Sequence, residues 1–105
     1  MKLDRDINSN GKGKYALLNL RKLPGDLRTP QELADAILAH PEAVEWGCVG
    51  EQDEFFVIKL KDKYANSALH AYAQAAMADD PEYADAVSQM TDRAGLNSPF
   101  CKRPD

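Results

Sequence analysis

The sequence contains little cysteine and no long apolar run, and each shortage excludes a class of protein. Two cysteines, Cys48 and Cys101, are too few for the disulfide framework that stabilises many small secreted domains. A membrane-spanning helix needs about 20 consecutive apolar residues, and every apolar stretch in this sequence is much shorter. The opening residues carry both charge signs in place of the apolar centre of a signal peptide. We therefore predict a reduced, cytoplasmic protein with no membrane contact.

An excess of positive charge is also missing. The formal net charge is −4, which disfavours non-specific attraction to nucleic acid. The basic residues are nevertheless concentrated near the start, where residues 1–28 hold seven Lys or Arg and three Asp. A length of 105 residues suits one domain. We predict a single α+β domain over residues 1–105, with irregular or flexible ends at 1–13 and 97–105.

Motifs for metal binding, phosphate binding and nucleophilic catalysis are missing as well. The candidate metal ligands are the histidines and cysteines: His40, His70, Cys48 and Cys101. None of them lies in a CxxC, HxxxH or HExxH spacing. Residues 11–14 read Gly-Lys-Gly-Lys, but a phosphate-binding loop needs Ser or Thr next, and Tyr15 follows instead. We predict no catalytic residue, no metal ligand and no cofactor, and therefore no enzyme. An enzyme whose site the sequence does not reveal is a third hypothesis, after the two binding roles described below.

The first half of the chain predicts a strand, a helix and a hairpin. Residues 14–23 alternate as on a strand, although a short helix suits the same residues. Residues 29–32 read Thr-Pro-Gln-Glu, a capping box with proline at the first helical position, and Pro41 ends that helix. Residues 44–48 and 55–61 are rich in strand-forming types and predict a β-hairpin.

The second half predicts two more helices. Small apolar residues recur at helical spacing over residues 63–78. Asp79 or Asp80 precedes Pro81, which predicts an N-cap and a first helical position, and Gly95 ends the helix. The resulting order is β-α-β-β-α-α. We therefore predict an α+β fold in which two to three helices pack on a three-stranded, mainly antiparallel sheet.

One group of basic residues is a candidate for nucleic-acid contact. Its members are Lys12, Lys14, Arg21, Lys59, Lys61 and Lys63. The last three side chains point the same way if they lie on one regular strand, and residues near the start extend the basic surface. The competing interpretation is an ordinary solvated sheet edge, because lysine there blocks association between edges.

A second group contains the candidates for protein contact: Trp46, Asp79, Asp80 and Glu82. The single tryptophan fills the core in the simpler interpretation, whereas an exposed tryptophan anchors many interfaces. The acidic residues lie near a helix start, where such residues also have structural roles. The pattern therefore indicates a charged helical surface that a partner could bind.

Three segments resemble small proteins encoded in phage and prophage genomes: residues 13–18, 45–62 and 98–105. These segments contain no catalytic motif, so the resemblance implies an origin and, by analogy, action through binding. We predict a small non-enzymatic interaction protein, related to phage or prophage, that binds a protein partner through its surface. The alternative prediction is a nucleic-acid-binding accessory module that uses the basic sheet surface.

Overall fold

The structure, a computed structural model, describes residues 3–103. Within this range the chain divides into two compact units, residues 3–56 and residues 57–103. The elements are β1 (Leu17–Leu18), α1 (Pro30–Ala39), β2 (Val44–Glu45), α2 (Ala65–Ala76) and α3 (Pro81–Met90), with short 3-10 turns around them. No helix in the described part of the chain is long and apolar enough to cross a membrane.

The first unit contains a short antiparallel ribbon of β1 and β2. The paired residues are Leu17 with Glu45 and Leu18 with Val44. Asn19 ends β1, because its side chain accepts a hydrogen bond from the Arg21 N–H at 3.1 Å and caps a 3-10 turn. The strand predicted over residues 14–23 is therefore only two residues long, and a 3-10 turn follows it.

Helix α1 confirms the capping prediction. The Thr29 hydroxyl oxygen accepts a hydrogen bond from the Glu32 N–H at 3.1 Å, and the hydroxyl donates to the Glu32 carboxylate at 3.1 Å. Pro30 occupies the first helical position, and His40 caps the end of the helix before Pro41. Local signals of this kind depend only on neighbouring residues, so the structure reproduces them.

The prediction of a three-stranded sheet is wrong, because the described residues form a two-stranded sheet and residues 55–61 form no strand. Strand β2 is paired with β1 instead of with that segment. Shortly after β2, Gly47 takes a left-handed conformation with a φ of +58°. The chain then turns through a hydrogen bond from the Glu51 N–H to the Cys48 carbonyl at 3.1 Å. This bend interrupts the predicted hairpin, and the predicted order β-α-β-β-α-α becomes β-α-β-α-α.

The irregular start of the second unit bonds to residues near the end of the described chain. The Leu60 carbonyl accepts from the Gly95 N–H at 2.7 Å, and the Lys61 carbonyl accepts from the Lys102 N–H at 2.9 Å. An isolated parallel bridge joins Asp62 to Lys102. A hairpin partner was expected to bond to the backbone of this segment. Residues distant in the sequence form those hydrogen bonds instead.

Helices α2 and α3 confirm the helices predicted from residues 63–78 and from Pro81. They form a helical hairpin whose buried apolar residues are small, which lets helix axes approach closely. In the second unit the buried apolar residues are Ala65, Ala73, Ala84, Val87 and Ala94. The Asn66 side chain donates to the Thr91 carbonyl at 2.9 Å and joins the start of α2 to the end of α3.

Helix α3 ends at Met90, five residues before the predicted end at Gly95. The Thr91 carbonyl accepts hydrogen bonds from the side-chain amides of Asn66 and Asn97, at 2.9 and 3.0 Å. Two 3-10 turns follow. Gly95 does take the expected left-handed conformation, with a φ of +59°, but it begins the second of those turns. Side-chain bonds at Thr91 therefore replace the continuation of the helix.

Within the described residues the two predicted irregular ends contain no α-helix or regular strand, although Asn97 closes a 3-10 turn and Lys102 forms the isolated bridge. Their outermost parts, residues 1–2 and 104–105, lie outside those residues. Near the start, the Ile7 N–H bonds to the Lys12 carbonyl at 3.1 Å. Trp46, expected in the core, is 48% exposed. In the first unit the buried apolar residues are Leu23 and Ala43.

Candidate functional site

The connection between α2 and α3 carries exposed side chains that we call the hairpin tip. Its members are Tyr72, Met77, Asp79, Asp80, Glu82 and Tyr83. Tyr72 lies in the second half of α2, and Tyr83 lies in the first turn of α3. Because the two helices pack as a hairpin, these rings meet across the connection. The tip therefore presents an aromatic surface beside three acidic residues.

The two tyrosines of the tip form a defined pair. Their hydroxyl oxygens lie 2.7 Å apart, and their rings meet edge to face with centroids 6.1 Å apart. Tyr72 is nevertheless 54% exposed and Tyr83 is 48% exposed. An edge-to-face pair of this kind is favoured by the ring quadrupoles. The hydrogen bond and the ring contact together hold two largely accessible rings in one arrangement.

The Tyr83 hydroxyl is perturbed by its surroundings. Its hydrogen bond with Tyr72 raises the pKa of Tyr83 above the ordinary value of 10.0. Partial desolvation and the charges of Tyr72 and Asp80 raise this pKa further. All of these effects disfavour the phenolate, so Tyr83 keeps its proton to a higher pH than an ordinary tyrosine does.

The acidic residues of the tip have different local roles. Asp80 is the N-cap of α3, because its carboxylate accepts a hydrogen bond from the Tyr83 N–H at 3.1 Å. Asp79 and Glu82 are exposed on either side of it. The sequence from residue 64 to residue 92 contains no Lys or Arg, so nearby basic residues along the chain do not neutralise these acids. The tip is thus a locally negative surface.

Basic residues gather at the other end of α2, which is about 18 Å long at 1.5 Å per residue. We call Lys61, Lys63, Lys102 and Arg103 the basic end. The Lys63 N–H donates to the Lys102 carbonyl at 2.8 Å, which places the two segments side by side. Lys63 and Arg103 are exposed, and Lys61 is half-buried. These contacts replace the regular strand on which Lys59, Lys61 and Lys63 were expected to share one face.

The other predicted nucleic-acid contacts lie in the first unit. The Lys12 ammonium is 3.8 Å from the centroid of the Trp46 ring, and the Lys14 ammonium is 5.4 Å from that of Tyr15. Both distances fit cation–π attraction. Arg21 is exposed in the 3-10 turn after β1. The six predicted residues are therefore divided between the two units, and the Lys12 ammonium lies over the exposed Trp46 ring.

The residues considered for metal binding or catalysis lie in separate elements. His40 caps α1, with its Nδ1 atom 3.5 Å from the Glu42 carboxylate, and His70 is exposed on α2. Cys48 and Cys101 are half-buried thiols. Within residues 3–103, no group of three or more His, Cys, Asp or Glu side chains is arranged to hold a metal ion.

A shallow depression lies in the first unit. Its lining residues are Leu3, Arg5, Glu54, Phe55 and Phe56. The Arg5 guanidinium donates to the Phe55 carbonyl at 3.1 Å and pairs with the Glu54 carboxylate. Because these partners engage the guanidinium, the depression offers mainly apolar walls. Leu3 and Arg5 of the opening segment thus line this depression together with residues 54–56.

No protein-family model matches the sequence, and no curated protein or solved structure matches the chain. The candidate surfaces are therefore defined by the residues of this chain alone. They belong to a small α+β protein whose second unit is a helical hairpin with an acidic, aromatic tip and a basic end.

Sequence reasoning found the acidic residues of the tip but missed its aromatic pair. Tyr72 and Tyr83 lie at the spacing of apolar helix faces, and this spacing favours packing residues over exposed ones. A signal was present: the two tyrosines flank a connection of only four residues, Met77 to Asp80, so they lie near the turn of any hairpin formed there. Lys102 and Arg103 were missed because only the bridge to Asp62 brings them to Lys61 and Lys63.

Proposed function

We propose that this chain is a non-enzymatic interaction protein that binds a protein partner through the hairpin tip. The observation that carries the proposal is the exposed, hydrogen-bonded pair of Tyr72 and Tyr83 beside Asp80. Rings that are already held in place lose little conformational freedom on binding. Tyrosine is also enriched among residues that dominate interface energies.

The chemistry of the tip favours a partner with a basic surface. Asp79, Asp80 and Glu82 give the tip negative charge, and complementary charge speeds association and selects among partners. The tyrosine rings add faces that attract lysine or arginine side chains. A basic protein surface therefore matches both features of the tip.

The biological setting is part of the same proposal. A phage or prophage origin is supported by the resemblance of residues 13–18, 45–62 and 98–105 to proteins from such genomes. A cytoplasmic location is supported by the low cysteine content. An interaction with a bacterial protein follows from this setting by analogy.

Affinity capture from bacterial lysate, quantified by mass spectrometry, tests the proposal. The wild-type bait is compared with D79N/E82Q, which removes two charges from the tip and leaves the Asp80 cap intact. The matched control is E51Q/D53N, which removes two exposed acids from the first unit. We expect a saturable partner to be lost from D79N/E82Q and retained by the control. Equal recovery by both variants contradicts the assignment of the tip.

A further inference from the structure

The basic end has properties that protein binding at the tip does not use. Residues 57–103 contain six Lys or Arg and six Asp or Glu, so the second unit is neutral by formal charge. The charges are nevertheless unevenly distributed: three of the six acids lie at the tip, whereas the neighbouring backbone segments that carry Lys61, Lys63 and Arg103 include one acid, Asp62. Local charge decides contact with an extended polyanion, since screening limits electrostatic reach to about 10 Å at 0.1 M salt.

The acid within the basic end is turned toward its own backbone. The Asp62 carboxylate accepts a hydrogen bond from the Tyr64 N–H at 2.8 Å. Lys61 and Lys63 flank Asp62 in the sequence, and Lys63 is exposed. The carboxylate thus has a structural role in starting the turn before α2, and cations dominate the exposed surface on either side of it.

Exposed aromatic rings accompany these cations. Tyr64 directly follows Lys63, and Phe100 lies three residues before Arg103. Phe100 is 75% exposed, although its N–H is fixed by a 3.1 Å bond to the Ser98 hydroxyl. A solvent-exposed phenylalanine in an ordered turn contributes nothing to the buried alanine core of the hairpin. Its face is available for stacking.

We infer that the basic end binds single-stranded nucleic acid, with Lys63 and Arg103 contacting phosphates and Phe100 stacking on a base. Phe100 lies three residues before Arg103, in the segment whose Lys102 backbone bonds to Lys61 and Lys63. Cations together with exposed aromatic rings are the combination that single-strand-binding proteins use. A duplex keeps its bases stacked inside and leaves nothing for an exposed ring to bind. This binding is separate from the protein contact at the tip and does not depend on it.

Fluorescence anisotropy of a labelled oligothymidylate tests the inference with the full chain. We expect binding at low salt that weakens steeply as salt rises. The variant K63Q/R103Q should bind more weakly and lower the slope of log affinity against log salt by roughly 1.4, about 0.7 for each cation removed from a single-strand contact. The matched control K22Q/R28Q removes two exposed charges from the first unit and should leave affinity unchanged.

The stacking role of Phe100 is tested separately from charge. The variant F100L keeps an apolar side chain but removes the flat ring, and we expect affinity to fall about 5- to 100-fold. The variant F100Y keeps the ring and should bind as the wild type does. Equal weakening by K22Q/R28Q and K63Q/R103Q, or unchanged affinity in F100L, overturns the inference.

Competition identifies the class of polyanion. Unlabelled oligothymidylate should displace the probe more effectively than a duplex or an oligoglutamate peptide of equal charge. Stronger displacement by the peptide assigns the basic end to an acidic protein and overturns the inference, as does stronger displacement by the duplex. Absence of any anisotropy change at low salt has the same consequence.

Discussion

The hydroxyl oxygens of Tyr72 and Tyr83 lie 2.7 Å apart and join α2 to α3 near their connection. At the far end of the same helices, the Asn66 side chain donates to the Thr91 carbonyl at 2.9 Å. Polar side-chain contacts therefore connect the hairpin near both ends, and small apolar residues fill the space between them. The tyrosine contact does this while leaving both rings about half exposed, so the pair that joins the two helices is also accessible at the surface.

The variant Y72F should lower the pKa of Tyr83 toward 10.0, because it removes the hydrogen bond that is the largest cause of the raised value. NMR titration of tyrosines labelled at Cζ measures this pKa directly. Y15F, which alters a tyrosine of the first unit, should leave the pKa unchanged. A Tyr83 pKa that is equal in Y72F and the wild type contradicts the hydrogen bond.

The same pair predicts a loss of stability at alkaline pH. The folded-state pKa of Tyr83 lies above its unfolded value, so the folded protein holds this proton more tightly. The stabilising contribution is complete below the unfolded pKa of about 10 and is lost as pH rises through the raised folded pKa. Thermal unfolding of wild type and Y72F should converge across this window. A constant difference between their melting temperatures would falsify the linkage.

Loss of the Asp80 cap should destabilise α3. D80A leaves the Tyr83 N–H without its 3.1 Å side-chain acceptor, and we expect a cost of about 0.5–2 kcal/mol in the free energy of unfolding. D80N should cost much less, because asparagine caps nearly as well as aspartate. Urea denaturation followed by circular dichroism measures both. If D80N is as unstable as D80A, charge rather than capping stabilises this end of the helix.

Gly47 should tolerate alanine poorly. Its φ is +58°, and a Cβ atom added there would collide with the Phe55 ring. We expect G47A to cost about 2–5 kcal/mol, from the left-handed backbone and from displacement of the ring. G25A is the matched control, with a φ of +81° and no neighbouring atom within 4 Å. It should cost only about 1–2 kcal/mol. Equal losses in urea denaturation contradict the contact with Phe55.

The hairpin interface should reject a large side chain at Ala84. This residue is 0% exposed, and A84L is expected to cost about 1–3 kcal/mol through overpacking. A86L places the same side chain on an exposed position of α3 and should change stability by less than about 0.5 kcal/mol. Chemical denaturation compares the two variants. Similar values for both indicate that α2 and α3 are packed more loosely than the structure shows.

The helices were predictable because their signals are local. Thr29 with Glu32, and Asp80 with Pro81, specify helix starts within four residues of sequence. The sheet was not predictable in the same way. Residues 55–61 have strand-forming side chains, but strand formation needs a partner, and β2 pairs with β1 instead. A left-handed Gly47 then turns the chain away from the predicted hairpin.

The same difference between local signals and long-range contacts decides which parts of the candidate surfaces could be predicted. Asp79, Asp80 and Glu82 could be found from sequence because they surround a recognisable helix start. The exposure of Trp46 could not, since an indole in a strand-like segment is normally buried. The basic end depends on the bridge between Asp62 and Lys102, which are distant in sequence, and no periodicity indicates that contact.

Site-specific photo-crosslinking in bacterial cells tests the central claim most directly, with a benzophenone amino acid in place of Met77. Met77 is an exposed residue of the hairpin tip and is not a member of the Tyr72–Tyr83 pair. The control position is Leu38, which is 81% exposed on α1. We predict a discrete covalent adduct with one protein from position 77, absent from position 38 and lost in D79N/E82Q. No adduct from position 77 above the level at position 38 would contradict a protein-binding role for the tip.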